Sequence, residues 1–165
     1  MLNNFPLGLT FDDVLLEPQE SAVVRNEVDL SSFVTKKIRL KIPIIAAAMD
    51  TVSEAEMAIA LGRLGGLAVL HRNCSVEEQV AMVRRVKKNK LLAAAAVGPG
   101  DLQRALALDK AGTEIIVVDT AHAHNLRALK SAREIKRSVR AQVIVGNIGT
   151  KEAAAELIKF ADAIK

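Results

Sequence analysis

The stretch AAAMDTVSEAEMAIALGRLGGLAVLHRN, Ala46 to Asn73, decides the fold class of this chain. Small residues run into Met-Asp-Thr at 49–51, an amphipathic segment follows, and Gly65-Gly66 separates it from a second apolar run. A glycine pair at that place is typical of a helix end followed by a turn. The stretch therefore predicts a strand, a helix beginning near Ser53 and a second strand parallel to the first.

The same alternation occurs five times from Ile42 onward, with apolar segments IPIIAAAM, GLAVLH, LLAAAAVG, EIIVVDT and QVIVGNI each followed by a helical pattern. Its regular spacing fits both a (β/α) barrel and a doubly wound sheet. FADAIK at the carboxyl end predicts a helix end running into a sixth strand. An eight-stranded barrel typically needs about 250 residues. The sequence is therefore either a five-stranded open sheet or part of something longer.

Helix starts carry their own signals. Ser53 with Glu56, and Ser75 with Glu78, have the spacing of a capping box, in which the two side chains bond each other's backbone amides. Thr150 is a further cap candidate. GPGD, ending at Asp101, lacks the length and the lysine of a phosphate loop, so a turn and a helix cap are expected there.

Composition narrows the function classes. The chain has 165 residues, half of them hydrophobic and a quarter charged, which permits one aliphatic core. Its net charge of +4 comes from basic residues mixed with acids at helical spacing, and it has no Trp or Tyr, so no nucleic-acid partner is expected. A single cysteine, with no leader or membrane-spanning stretch, predicts a cytoplasmic protein with no membrane partner.

Candidate ligand-binding residues follow from the parallel strand pattern, because ligands bind at the carboxyl ends of such strands. Asp119 ends an apolar strand, and its carboxylate needs a partner, either a backbone donor or a ligand hydroxyl. Met49 either plugs the top of the core or contacts a ligand. Asp50 either caps the next helix or holds a neighbouring loop. The remaining polar strand ends are 71–73, 98–101, 119–122 and 146–149.

Five segments together resemble the IMP dehydrogenase and GMP reductase superfamily: LTFDDVLLEPQES, NEVDLSS, IPIIAAAMDTVSEAEMAIALGRLGGLAVLHRN, VDTAHAH and VIVGNIGT. The resemblance runs in order and in register from Leu9 to Lys165. HRN after the second strand and DTAH after the fourth resemble the dehydrogenase branch, with GMP reductase as an alternative.

The resemblance implies a (β/α)8 TIM barrel, of which residues 42–165 carry the first five βα units and the start of the sixth strand. Residues 1–41 are then an amino-terminal extension packing on the barrel. It also implies an NAD-dependent oxidoreductase that converts IMP to XMP in guanine nucleotide biosynthesis and forms a homotetramer. By the same resemblance, the substrate-binding residues are Ala47, Met49 and Asn147, and the cofactor-binding residues are Asp119, Thr120 and Ala121.

The sequence departs from the family pattern in three ways. The regulatory cystathionine-β-synthase-type domains are missing, because residues 86–90 run directly into LLAAAAVG. The family's AHGHS is AHAHN, and a Cβ at Ala123 disfavours a positive φ, while Asn125 replaces serine. The sequence also stops before the loop whose cysteine attacks IMP and whose carbonyls bind potassium. This chain alone is therefore expected to be inactive, with no catalytic residue and no potassium site of its own.

Cys74 is the one thiol that could replace that nucleophile. It follows HRN at the amino end of a predicted helix, where the helix dipole would lower the thiol pKa. No base is evident beside it, so a catalytic role is not expected. His122 and His124 have no evident third ligand, and we expect no metal site.

Two other function classes remain open: a non-catalytic nucleotide-binding protein, and a half barrel that pairs with a second polypeptide. Part of a barrel has two unpaired strand edges and an open apolar interior. The isolated chain is therefore expected to self-associate.

Overall fold

The computed structural model describes residues 7–165; residues 1–6 of the predicted extension lie outside the described residues. Five α-helices are present in this range: α1 Ala55–Arg63, α2 Val76–Lys88, α3 Leu102–Lys110, α4 Leu126–Ser138 and α5 Lys151–Leu157. The strands are β1 Ser32–Phe33, β2 Arg39–Leu40, β3 Ile45–Ala46, β4 Leu67–Leu70, β5 Ala94–Val97, β6 Ile115–Asp119, β7 Gln142–Gly146 and β8 Ala163–Ile164. Single 3-10 turns occur at Phe11–Asp13 and Arg25–Glu27.

Six parallel strands form one curled sheet in the order β3-β4-β5-β6-β7-β8, with a helix between each consecutive pair. A doubly wound sheet reverses its strand order at a switch point, whereas this order follows the sequence throughout. The structure is therefore part of a (β/α) barrel. The five predicted βα units and the sixth strand are confirmed, and the five-stranded open sheet was the wrong alternative.

The four central strands, β4 to β7, are buried on both faces, which explains why they are continuous apolar runs. On β6, Ile116 and Val118 pack beneath the helices, while Ile115 and Val117 belong to a second cluster on the barrel interior. Asp119 continues the Ile115 and Val117 row, because alternate strand residues share a face. Its carboxylate therefore lies at the top of the interior.

A hairpin of β1 and β2 closes the amino-terminal end of this interior. Leu40 is buried within the interior cluster, and Val34 and Ile38 pack against it. The Lys41 amide donates to the carbonyl of Gly65, which ties the hairpin to the turn before β4. The described residues before it, 7–30, are exposed throughout.

Three of the predicted helix caps are confirmed. The Ser75 hydroxyl accepts from the Glu78 amide at 3.1 Å, and the Glu78 carboxylate accepts from the Ser75 amide at 2.8 Å. Asp101 and Thr150 cap α3 and α5 by accepting from the amides three residues on.

The predicted cap at Ser53 is wrong. Helix α1 begins at Ala55, with Glu54 at its N-cap position and no side-chain cap. Ser53 is fully buried, and its hydroxyl donates to the carbonyl of Ala47 at 2.5 Å. The hydroxyl thus satisfies a carbonyl just beyond the end of β3, a contact between strand and loop that a local spacing rule does not contain.

No helix within residues 7–165 has the length and apolar character needed to cross a bilayer.

We predict that Gly112→Ala destabilises the chain by about 1–2 kcal/mol, because Gly112 has a φ of +96° where α3 turns into β6. The added Cβ would not clash with other atoms, because its nearest neighbours, on the Lys87 side chain, would lie 3.9 Å away. Gly149→Ala is the matched control: its φ is not in the positive range and its Cβ would meet nothing within 4 Å. Urea unfolding followed by circular dichroism measures both variants, and equal effects would contradict the conformational explanation.

Candidate functional site

Polar residues from three strand ends line one cleft of about 370 Å³ at the carboxyl edge of the sheet. Met49 and Asp50 follow β3, residues 71–73 follow β4, and Asp119 ends β6. Three loops that are distant in sequence therefore share one opening. The cleft has the position that ligand sites occupy in (β/α) barrels.

The structure excludes one of the two alternatives for Met49 and decides between the two for Asp50. Met49 is 53% exposed and lines the cleft, so it does not plug the core. Asp50 accepts a hydrogen bond from Asn73 Nδ2 at 2.7 Å. It therefore holds the neighbouring loop rather than capping α1.

The carboxylate of Asp119 is paired with a side chain. Lys165 Nζ lies 2.5 Å from Asp119 Oδ1. In the sheet register Asp119 pairs with Gly146, and the residue after Ile164 continues that row. A Cβ on Gly146 would lie 2.7 Å from the Lys165 Cβ, so glycine leaves the space in which lysine reaches Asp119.

Ala47 lies at a different cavity from Met49. An apolar space of about 320 Å³ occupies the barrel interior beneath the cleft. Ala48 lines both spaces, whereas Ala47 lines only the lower one. The interior space is lined by Val34, Ile45, Ala47, Ala48, Val69, Val117, Ile144, Ala163, Ile164 and Lys165.

Thr120 and Asn147 are brought together by their backbones. The Asn147 amide donates to the Thr120 carbonyl at 2.7 Å, and the Thr120 amide donates to Gly146 at 2.9 Å. Ala121 is exposed in the same loop. None of these three residues lines the Met49 cleft; they form a second group beside it, joined to it through Asp119.

The two departures in the AHAHN loop are accommodated. Ala123 is fully buried, and Lys90 is the only non-glycine residue with positive φ between positions 7 and 165. Asn125 caps α4, with its Oδ1 accepting from the Ala128 amide at 2.9 Å. Asparagine and serine are both good N-cap residues, so the replacement preserves the helix start.

Burial raises the pKa of the Cys74 thiol, with Arg104 nearby as a smaller opposing influence. The expected lowering by the helix dipole is therefore outweighed by desolvation. The sulfur lies 3.8 Å from the His71 carbonyl, the position of a weak donor rather than of an activated thiolate. These features agree with a non-catalytic Cys74.

Sequence reasoning missed a buried polar network beneath the cleft. Gln79 is fully buried, and its amide nitrogen donates to the carbonyls of Leu70 and Ala96. Arg104 donates to Gln79 Oε1 at 2.8 Å and to the Cys74 carbonyl at 3.0 Å. Helical spacing could have predicted the burial of Gln79, because it lies on the same face of α2 as the buried Val83 and Val86.

The cleft residues His71 and Asn73 were also not assigned a role from sequence, although they occupy a strand end. His71 is 5% exposed, and its Nδ1 accepts from the Asn73 amide at 3.2 Å. The sequence pointed to these residues only by their position, because residues 71–73 directly follow a buried strand. In the part of the chain that the structure describes, no three metal-ligating side chains come together.

Taken with its sheet order, this cleft defines a partial (β/α) barrel whose candidate site lies at the carboxyl ends of the strands. Residues 8–165 match the IMP dehydrogenase / GMP reductase domain. The chain belongs to that family, which confirms the resemblance seen in the sequence.

Relatives named inosine-5'-monophosphate dehydrogenase show how much of such a protein the chain represents. The protein from Cryptosporidium parvum is 37% identical over 206 aligned residues, covering 98% of this chain and 52% of the relative. The protein from Halobacterium salinarum is 29% identical, covering 97% and 58%. That from Aquifex aeolicus is 57% identical over 83 residues, half of this chain. The chain thus spans about half the length of the curated relatives that it matches along its whole length.

We predict that iodoacetamide alkylates Cys74 more slowly in the folded chain than in the urea-unfolded chain at the same pH. The raised thiol pKa leaves less thiolate, so the rate should also inflect at a higher pH in the folded chain. Intact-mass measurement over time follows the reaction, and the unfolded chain is the internal control. Faster alkylation of the folded chain would mean that Cys74 is an activated thiol.

Proposed function

We propose that residues 42–165 are the amino-terminal part of the catalytic barrel of an IMP dehydrogenase, a cytoplasmic enzyme that oxidises IMP to XMP with NAD in guanine nucleotide synthesis. Residues 1–41 are its extension on the barrel. The observation that carries the proposal is the meeting of Met49 and Asp119 at one cleft. One offers an apolar surface and the other a carboxylate, which are the groups that a purine and a ribose need.

The substrate side of the site consists of Ala47, Met49 and Asn147. A half-exposed thioether is polarizable and adaptable, and it packs well against a flat aromatic ring. The small side chain of Ala47 leaves the interior beneath it open. Asn147 offers an exposed amide beside the end of β7.

The cofactor side consists of Asp119, Thr120 and Ala121. NAD supplies the hydride acceptor when it is bound. These residues fit its ribose, because the partly exposed Asp119 carboxylate can accept from two hydroxyls while Lys165 holds it in place. Ala121 presents little bulk beside it, so a large ligand can approach the loop.

Catalysis needs a thiolate nucleophile, and Cys74 is not suited to that role. We infer that the nucleophile and the potassium site lie outside this sequence and that the 165-residue chain alone does not oxidise IMP. The complete enzyme is a homotetramer in this proposal. Among residues 7–165 no strand pairs with the outer edge of β3 or of β8, and these open edges make the isolated chain self-associate.

Those same edges support a second candidate function, a non-catalytic half barrel completed by another polypeptide. GMP reductase is a third possibility within the family, although the relatives described above are all named as dehydrogenases.

The test uses the native gene product, isolated from its own cells. With IMP and NAD it should form XMP and NADH, and with GMP and NADPH it should show no oxidation of NADPH. The 165-residue chain by itself should form no NADH. Oxidation of NADPH by GMP would instead identify a reductase. Turnover in neither direction would favour the half-barrel function.

In the same assay, Met49→Ala should raise KM for IMP about tenfold, because one well-packed apolar contact with the purine is lost. Met57→Ala is the matched control, since Met57 is also partly exposed but lies on α1 outside the cleft. Asp119→Ala should instead raise KM for NAD by at least about tenfold, through loss of a charge-assisted hydrogen bond. Equal effects of the two methionine variants would contradict the proposed purine contact.

A further inference from the structure

His71 is a buried imidazole whose two nitrogens have different surroundings. Nδ1 accepts a hydrogen bond from the Asn73 amide at 3.2 Å, which places the proton of the neutral ring on Nε2. Nε2 lies 3.7 Å from Glu54 Oε1, and no residue in 7–165 gives it a hydrogen bond. Nδ1 is thus the ring nitrogen that binds the loop after β4, through the Asn73 amide.

The loop held by His71 is bonded to the loop that carries Met49. Asn73 Nδ2 donates to Asp50 Oδ2 at 2.7 Å, and Asp50 directly follows Met49. A second connection runs through the backbone, where the His71 amide donates to the Ser53 carbonyl at 3.2 Å. The Ser53 amide in turn donates to the Met49 carbonyl at 2.8 Å. His71 is therefore joined to the segment 49–53 directly at Ser53, through its backbone amide, and indirectly at Asp50, through Asn73.

His71 is the buried member of the group formed by His71, Asn73 and Asp50. Asp50 and Asn73 are both exposed, and a hydrogen bond between exposed side chains contributes little on its own. The backbone amide of Asn73 is held by the acceptor on the buried ring. Without that acceptor, the Asn73 amide loses this partner, and the position of its side chain beside Asp50 is less constrained.

We propose that His71 is a positioning residue that sets the place of Met49 against the purine, acting through Asn73 and Asp50. This inference rests on the proposed function, because it takes the ligand of the cleft to be IMP. His71 contributes to ground-state binding of the purine and takes no part in hydride transfer.

Two substitutions distinguish the contribution of Nδ1 from that of Nε2. His71→Asn keeps an acceptor at the place of Nδ1 and removes Nε2. His71→Gln keeps a polar group near Nε2 and removes the Nδ1 acceptor. We expect His71→Gln to raise KM for IMP about fivefold at unchanged kcat, the effect of one lost hydrogen bond, and His71→Asn to remain near the wild-type value. Glu54→Gln is the control and should leave KM unchanged, because its contact with Nε2 is not a hydrogen bond.

Hydrogen exchange at the Asn73 amide tests its hydrogen bond to His71 Nδ1 without any ligand. The amide should be protected in the wild type and in His71→Asn, and should exchange faster in His71→Gln. Equal exchange in the two variants, or equal KM values, would overturn the positioning role. If the wild-type gene product does not oxidise IMP, the proposed function fails and the purine role fails with it. The exchange result then still decides whether His71 holds the loop.

Discussion

Parallel pairing of each strand with the next strand in sequence is the constraint on which the other features depend. Because β3 to β8 follow chain order, the sheet curls in one direction and gains an inner and an outer face. The outer face is covered by five helices, and the inner face is filled by the aliphatic side chains of alternate residues. The same constraint brings all the strand ends that carry polar residues to one edge.

At that edge, side chains separated by many residues stabilise one another. Asn73 bonds Asp50 between the first two strand ends, and Lys165 bonds Asp119 across the row that contains Gly146. Beneath them, the buried Gln79 and the partly buried Arg104 donate to the backbone carbonyls of Ala96 and Cys74. The cleft is thus supported by a polar layer between the strand ends and the amino ends of α2 and α3.

Much of the fold was predictable because its signals are local. Ser75 with Glu78, Asp101 and Thr150 carry the spacing of helix caps, and each forms its cap. Ser53 has the same spacing and does not, because a carbonyl next to the end of β3 competes for its hydroxyl. The expected lowering of the Cys74 pKa was wrong for a related reason. The dipole of α2 is a local property, whereas the burial that raises the thiol pKa comes from tertiary packing and exceeds the lowering by Arg104 of α3.

The amino-acid sequence by itself determined the number of βα units, the aliphatic core, most helix starts and the membership of the family. These depend on periodicity, on contacts within a few residues and on segments that can be read directly. Tertiary structure alone decided the curl of the sheet, the orientation of Met49 into the cleft and the pairings of Asp119 with Lys165 and of Asn73 with Asp50. Those contacts join residues 23 to 46 positions apart, and only the packed barrel fixes which polar groups meet.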